Sequence, residues 1–79
     1  MAGLVLFGTE ACHLCEEAEN LLSEVGLVYD KQDIIDDEQL QQRYAVRIPV
    51  LLDTTTGMEL GWPFSAEQLL NFVSQTKST

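Results

Sequence analysis

Positive charge is what this sequence has least of: four Lys and Arg stand against thirteen Asp and Glu in 79 residues, a formal charge of −9. Binding nucleic acid requires a basic surface to neutralise phosphates, so that class of partner is set aside. Long hydrophobic runs are missing too. Leu4-Val5-Leu6-Phe7 is too short for a signal-peptide core or a membrane span, and Met1-Ala2-Gly3 carries no basic leader. A cytoplasmic location without a membrane partner is therefore expected. Metal donors are scarce, since two Cys and one His fall short of the four ligands of a closed zinc site. There is no repeat, linker or low-complexity segment. What remains, 46% hydrophobic and 22% charged, is enough for one core. A single domain over 1–79, monomeric, is the expectation.

The two cysteines, Cys12 and Cys15, lie only three positions apart. A bridge between them closes almost no loop and constrains the unfolded chain very little. Static disulfides are also rare in the cytoplasm. A structural staple is thus a weak explanation, and two small buried hydrophobes is the plain alternative. The pair sits in Phe7-Gly8-Thr9-Glu10-Ala11-Cys12-His13-Leu14-Cys15-Glu16-Glu17-Ala18, which reads as a buried strand, a short turn and the first turns of a helix. A helix N-terminus offers unpaired N–H groups and a positive dipole end, both of which favour a thiolate. The thiolate is the reactive form. Cys15, one turn on along the same face, is placed to attack a mixed disulfide formed at Cys12. Cys12 is therefore assigned as the exposed nucleophile and Cys15 as the shielded resolving thiol. A protonated His13 would favour the Cys12 thiolate and its leaving group; a merely solvated His13 would do neither.

Around this motif the elements follow in order. Leu4 to Phe7 is apolar on both faces, as a central strand requires, and Gly8 ends it. Positions 14, 18, 21, 22 and 25 form a helical apolar stripe that stops at Gly26. Leu27 to Asp33 reads as a second strand, parallel to the first through a βαβ crossover, with Ile34-Ile35 leading out. Asp36-Asp37-Glu38-Gln39 starts a short helix, with an Asp cap, Gln three residues later, and Leu40 and Tyr44 inward. Pro49 ends that helix by Ile48. Val50 to Leu52 and Met58 to Trp62 form an antiparallel hairpin about the Asp53–Gly57 turn. After Pro63-Phe64, Ser65 caps a last helix with Gln68 as its partner. Its inward residues are expected to be Ala66, Leu69, Leu70 and Val73, with Phe72 at the edge and Lys77-Ser78-Thr79 frayed.

The order β-α-β-α-β-β-α, with Cys-X-X-Cys after the first strand and the segment 44–52 around Pro49, resembles a glutaredoxin-like member of the thioredoxin superfamily over nearly the whole chain. The resemblance implies an α/β thioredoxin fold with a four-stranded mixed sheet flanked by helices. It also implies a cis Ile48–Pro49 bond beside the cysteines, leaving the Ile48 backbone open to an extended substrate. Two departures from the family pattern bear on glutathione. Thr9 stands where glutaredoxins commonly have lysine, and Gly61-Trp62-Pro63-Phe64-Ser65 replaces the Gly-Gly approach to the last helix. That helix end and Ser65 still offer N–H groups to a carboxylate. Arg47 offers a second hold, unless it is simply a solvated surface residue. Trp62 and Phe64 read either as an apolar rim for a protein substrate or as core.

The expected activity is thiol–disulfide exchange with a protein disulfide or small thiol, reset by an external reductant. No resident cofactor or metal is expected; glutathione is the candidate reductant that the family suggests and the two departures oppose. The competing class is a non-catalytic thioredoxin-fold binding module, or a carrier of the subunit-bridging iron–sulfur cluster that the resemblance implies for some members.

Overall fold

The computed structural model describes residues 3–77, with side chains described through Ser74. Its elements are β1 (Leu4–Gly8), α1 (His13–Glu24), β2 (Asp30–Asp33), a 3-10 turn (Ile34–Asp36), α2 (Glu38–Tyr44), β3 (Val50–Asp53), β4 (Glu59–Gly61) and α3 (Ala66–Lys77). The sheet runs β2-β1-β3-β4. β1 pairs parallel with β2 and antiparallel with β3, and β3 pairs antiparallel with β4. The expected order and the mixed four-stranded sheet are both present.

Strand alternation splits the core in two, because successive side chains leave opposite faces. Leu4 and Leu6 of β1 and Leu51 of β3 meet Ala18 and Leu22 of α1 and Leu69, Phe72 and Val73 of α3. Phe7 and Val50, with half-buried Val5 and Leu52, meet Ile34 and Tyr44 on the other face. β1 is thus covered on both sides, as its uniformly apolar sequence requires.

Several local expectations shift. β2 begins at Asp30, not Leu27, because its parallel partner runs out: Asp30 lies opposite Val5, and β1 starts at Leu4. Val28 is left in solvent, while Leu27 and Tyr29 pack on the first core. In α1, Cys15 rather than Leu14 takes the inward position with Ala18 and Leu22, and Leu14 is exposed. In α3, Leu69, Phe72 and Val73 share the buried face, so Phe72 is core and Leu70 is exposed. The cap of α2 is Asp37, whose carboxylate accepts the N–H groups of Gln39 and Leu40. Gln39 therefore lies one residue too early to close a capping box from its side chain. Strand β4 is shorter by one residue at each end than expected.

Other local readings hold. The Ser65–Gln68 box is reciprocal, with Gln68 N–H donating to Ser65 Oγ at 3.2 Å and Ser65 N–H to Gln68 Oε1 at 2.8 Å. Gly26, at φ 74°, ends the first helical segment in the left-handed region that glycine adopts freely. α3 continues through Lys77; the expected fraying of Ser78-Thr79 lies outside the described residues. Among these, no helix is long and apolar enough to cross a membrane.

Candidate active site

β1 delivers the chain into a tight turn, Thr9-Glu10-Ala11, in which Ala11 adopts φ 59°. Cys12 follows as the N-cap of α1, in extended geometry. Its sulfur occupies the place usually given to a Ser or Asp oxygen, accepting the Cys15 N–H at 3.2 Å. Cys12 and Cys15 are joined by a disulfide, with Cα atoms 5.2 Å apart. Cys12 is half-buried, whereas Cys15 is 3% exposed. Behind the pair stands Gly8, where a Cβ would come within 2.9 Å of the Cys15 sulfur. His13 points to solvent, its Nε2 3.7 Å from Glu17 Oε2, a separation at which an exposed pair contributes little.

On the β3 side of the cysteines lies the proline loop. Phe7 is paired with Val50, so Pro49 reaches the end of β1 from which the cysteine turn leaves. The Ile48–Pro49 bond is cis, as the resemblance implied. Pro49 O accepts the Trp62 N–H at 3.2 Å, tying this loop to the segment after β4. Trp62–Pro63 is also cis, which the sequence reading did not anticipate. Trp62 packs edge-to-face on buried Phe64, ring centroids 5.1 Å apart, so Phe64 is core and Trp62 borders it. The Ile48 backbone is not fully open: its N–H donates to Tyr44 O at 3.0 Å. The last turn of α2 thereby takes the donor that the sequence reading reserved for a substrate.

Arg47 does not stand free beside this loop. Its Nη2 lies 3.2 Å from Glu59 Oε1, and Arg43 Nη2 lies 3.7 Å from Glu59 Oε2. Both guanidinium groups stand over the Tyr44 ring, whose hydroxyl donates to Glu59 Oε2 and whose face stacks on Phe7 at 4.5 Å. The Tyr44 hydrogen bond foremost, and then the arginines, hold the Glu59 carboxyl below its ordinary range, against the opposing effect of burial. Burial first, and Glu59 second, push the Tyr44 phenol up.

Residues 3–74 match the family model of the glutaredoxin-like domain. The chain belongs to that family. No curated protein matches it. Among solved structures, target protein XcR50 from X. campestris is 35% identical in its X-ray structure, with 92% of this chain and 97% of that one covered and a TM-score of 0.85. Protein Ne2328 from Nitrosomonas europaea is 28% identical over 90% and 89% of the two chains, with a TM-score of 0.69. A glutaredoxin from Brucella melitensis, 18% identical over 98% and 84%, has a TM-score of 0.59, a likeness of fold alone. The fold is that of the thioredoxin superfamily.

In this glutaredoxin-like domain the opposite, β2 side of the cysteines opens into a cleft of about 570 Å³ with Cys12 and Cys15 on its wall. Its charged lining is Glu10, Glu16, Glu19, Lys31, Asp33 and Asp36. Lys31 Nζ is 3.1 Å from Glu19 Oε1, and this hydrogen bond holds the ammonium pKa above its ordinary value. The sequence reading found the two cysteines and the proline loop, which the structure brings to one end of the sheet. It missed the cleft. The signal was available in the parallel pairing of the first two strands, which sets their C-terminal ends, and hence Asp33 and Asp36, beside the cysteine turn. Among the described residues, no group of three or more His, Cys, Asp or Glu is placed to hold a metal ion.

Proposed function

We propose that the protein is a thiol–disulfide oxidoreductase that exchanges disulfides between its Cys12–Cys15 pair and a protein or small-thiol partner. The observation that carries this reading is the Cys12 sulfur at the N-cap of α1, accepting the Cys15 N–H, with Cys15 buried behind it. In the reduced protein that N–H and the dipole end favour a thiolate at Cys12. The thiolate attacks one sulfur of a substrate disulfide. The substrate S–S bond breaks, its far sulfur leaves as a thiolate that takes a proton from water, and Cys12 is held in a mixed disulfide. Cys15 then gives up its proton and attacks the Cys12 sulfur, forming the intramolecular disulfide and releasing the second substrate thiol. Two electrons pass from the protein dithiol to the substrate. An external thiol or dithiol returns them by the reverse exchange. In the resulting disulfide the Cα atoms are 5.2 Å apart, inside the roughly 4.4–6.8 Å that disulfides span.

The test is site-resolved alkylation of the reduced protein near neutral pH. Cys12 is expected to react at least about tenfold faster than Cys15, following exposure and thiolate character. Cys15→Ser should accumulate a mixed disulfide on Cys12, while Cys12→Ser should accumulate none. Equal labelling, or faster labelling at Cys15, refutes the assignment.

A further inference from the structure

Two features in different parts of the site bear on which disulfide the protein accepts. The first is the cleft against the disulfide on the β2 side. Five carboxylates line it, and they come from four segments: Glu10 from the cysteine turn, Glu16 and Glu19 from α1, Asp33 from the end of β2 and Asp36 from the 3-10 turn after it. The cleft's one cation, Lys31, is already bound to Glu19. The second feature is on the β3 side, where Arg43 and Arg47 converge on Glu59. Lys31 is thus paired with a carboxylate of the chain itself, while Arg43 and Arg47 share one. In the cleft an incoming anion finds no uncommitted cation, whereas an incoming cation finds carboxylates in excess.

Resting on the disulfide-exchange reading above, we propose that the substrate is a cysteine carried on a basic polypeptide segment, with Lys or Arg side chains close to it in sequence. Those side chains enter the cleft as the substrate sulfur meets Cys12. The carboxylates are spread over four segments instead of converging on one point, which suits several cations distributed along a chain. The volume falls within the roughly 300–1,000 Å³ of ligand-binding clefts, room for more than one extended side chain. The chemical step is the exchange already written, with electrons passing from the protein dithiol to the substrate disulfide.

The experiment uses the reduced full chain and symmetric peptide disulfides that differ only in the residues flanking cysteine: lysine, serine or glutamate. Cystamine serves as a small dicationic probe. Single-turnover rates are divided by the rate of each probe with dithiothreitol, which removes intrinsic disulfide reactivity. At ~0.01 M ionic strength the lysine peptide is expected to exceed the serine peptide by about tenfold, the low end of electrostatic steering. That preference should collapse as the Debye length shortens from about 30 Å to about 3 Å at ~1 M salt. Glu10→Gln with Asp36→Asn should cut the preference several-fold. Glu24→Gln with Asp30→Asn should leave it, because these exposed residues lie at the far end of α1 and of β2, about 18 Å along the helix from Cys12.

Failure of every disulfide to exchange, the lysine peptide and cystamine included, would remove the oxidoreductase reading and this proposal with it. Exchange of the serine and lysine peptides at equal normalised rates would overturn the proposal alone. So would a gain seen with cystamine but not with the lysine peptide. Equal losses from the two double substitutions would assign the effect to diffuse charge and overturn the cleft.

Discussion

A Cβ placed on Gly8 would stand 2.9 Å from the Cys15 sulfur and 3.3 Å from its Cβ. The last residue of β1 is therefore a spacer that lets the disulfide lie against the sheet. Overpacking of this kind costs about 1–3 kcal/mol. Gly8→Ala is expected to lower the stability of the oxidised protein by that amount, and of the reduced protein by less, because an unbridged Cys15 side chain can rotate away. By linkage, each 1.4 kcal/mol of difference raises the reduction potential by about 30 mV. Urea unfolding in both redox states, with the potential measured against a thiol buffer, checks this; an equal loss in both states contradicts it.

Ala11, immediately before the nucleophile, sits at φ 59°, a region costing a side-chain-bearing residue roughly 1–2 kcal/mol. Ala11→Gly should leave stability unchanged or raised, since relief of that strain offsets the greater freedom of unfolded glycine. Ala11→Val should lower it by more than about 1 kcal/mol, a β-branched residue being worst suited to this backbone. If valine is tolerated and glycine is destabilising, the turn does not hold this conformation in solution.

Glu59 ties α2 to β4 through Tyr44, Arg43 and Arg47. Glu59→Gln is expected to destabilise the protein by about 1.5–3 kcal/mol at neutral pH, the range for a charged hydrogen-bond partner. The native carboxyl titrates below the ordinary 4.5. Its contribution is thus full above that value and is lost as the pH falls through the depressed native one. The gap between wild type and variant should narrow below pH 4.5; a gap constant from neutral pH down to about 3 would show that the charge is not what Glu59 contributes.

Glutathione disulfide is a net anion that meets a chain of formal charge −9 at a cleft lined with carboxylates, while Arg47 is engaged by Glu59. Its exchange with the reduced protein is expected to be slow at low salt and to speed up between ~0.01 M and ~0.15 M ionic strength, where the Debye length shortens from about 30 to about 8 Å. A neutral disulfide run alongside should show no such rise. Fast glutathione exchange that salt slows would mean that Arg47 leaves Glu59 for the substrate.

Much of the fold is legible in the sequence. Local signals carried the elements: the both-faced apolar Leu4–Phe7, Gly26 at a helix end, and the Ser65–Gln68 box. Each depends on residues within a turn of one another. Where a helix's buried face was narrower than its apolar stripe, the reading erred, because Leu14 and Leu70 are apolar yet the neighbouring elements cover only the adjoining residues. The start of β2 was misplaced for the same kind of reason. A strand ends where its partner ends, and Leu27-Val28-Tyr29 suits a strand that β1 is too short to pair.

For the site, the residue order already holds the candidate groups: Cys-X-X-Cys at a strand-to-helix junction, a proline loop, and a surplus of carboxylate. The cysteine pair and the carboxylates follow from residue type and spacing, and the place of the proline loop from the family resemblance. Tertiary structure alone decided the neighbourhood of that chemistry. It spent the Ile48 N–H on Tyr44 and set Arg47 against Glu59, twelve residues away in sequence. It also brought Lys31, Asp33 and Asp36 to the cysteine turn through the parallel pairing of β1 with β2. Pairings between distant residues depend on which strand ends and helix faces meet, and no spacing within the sequence states that.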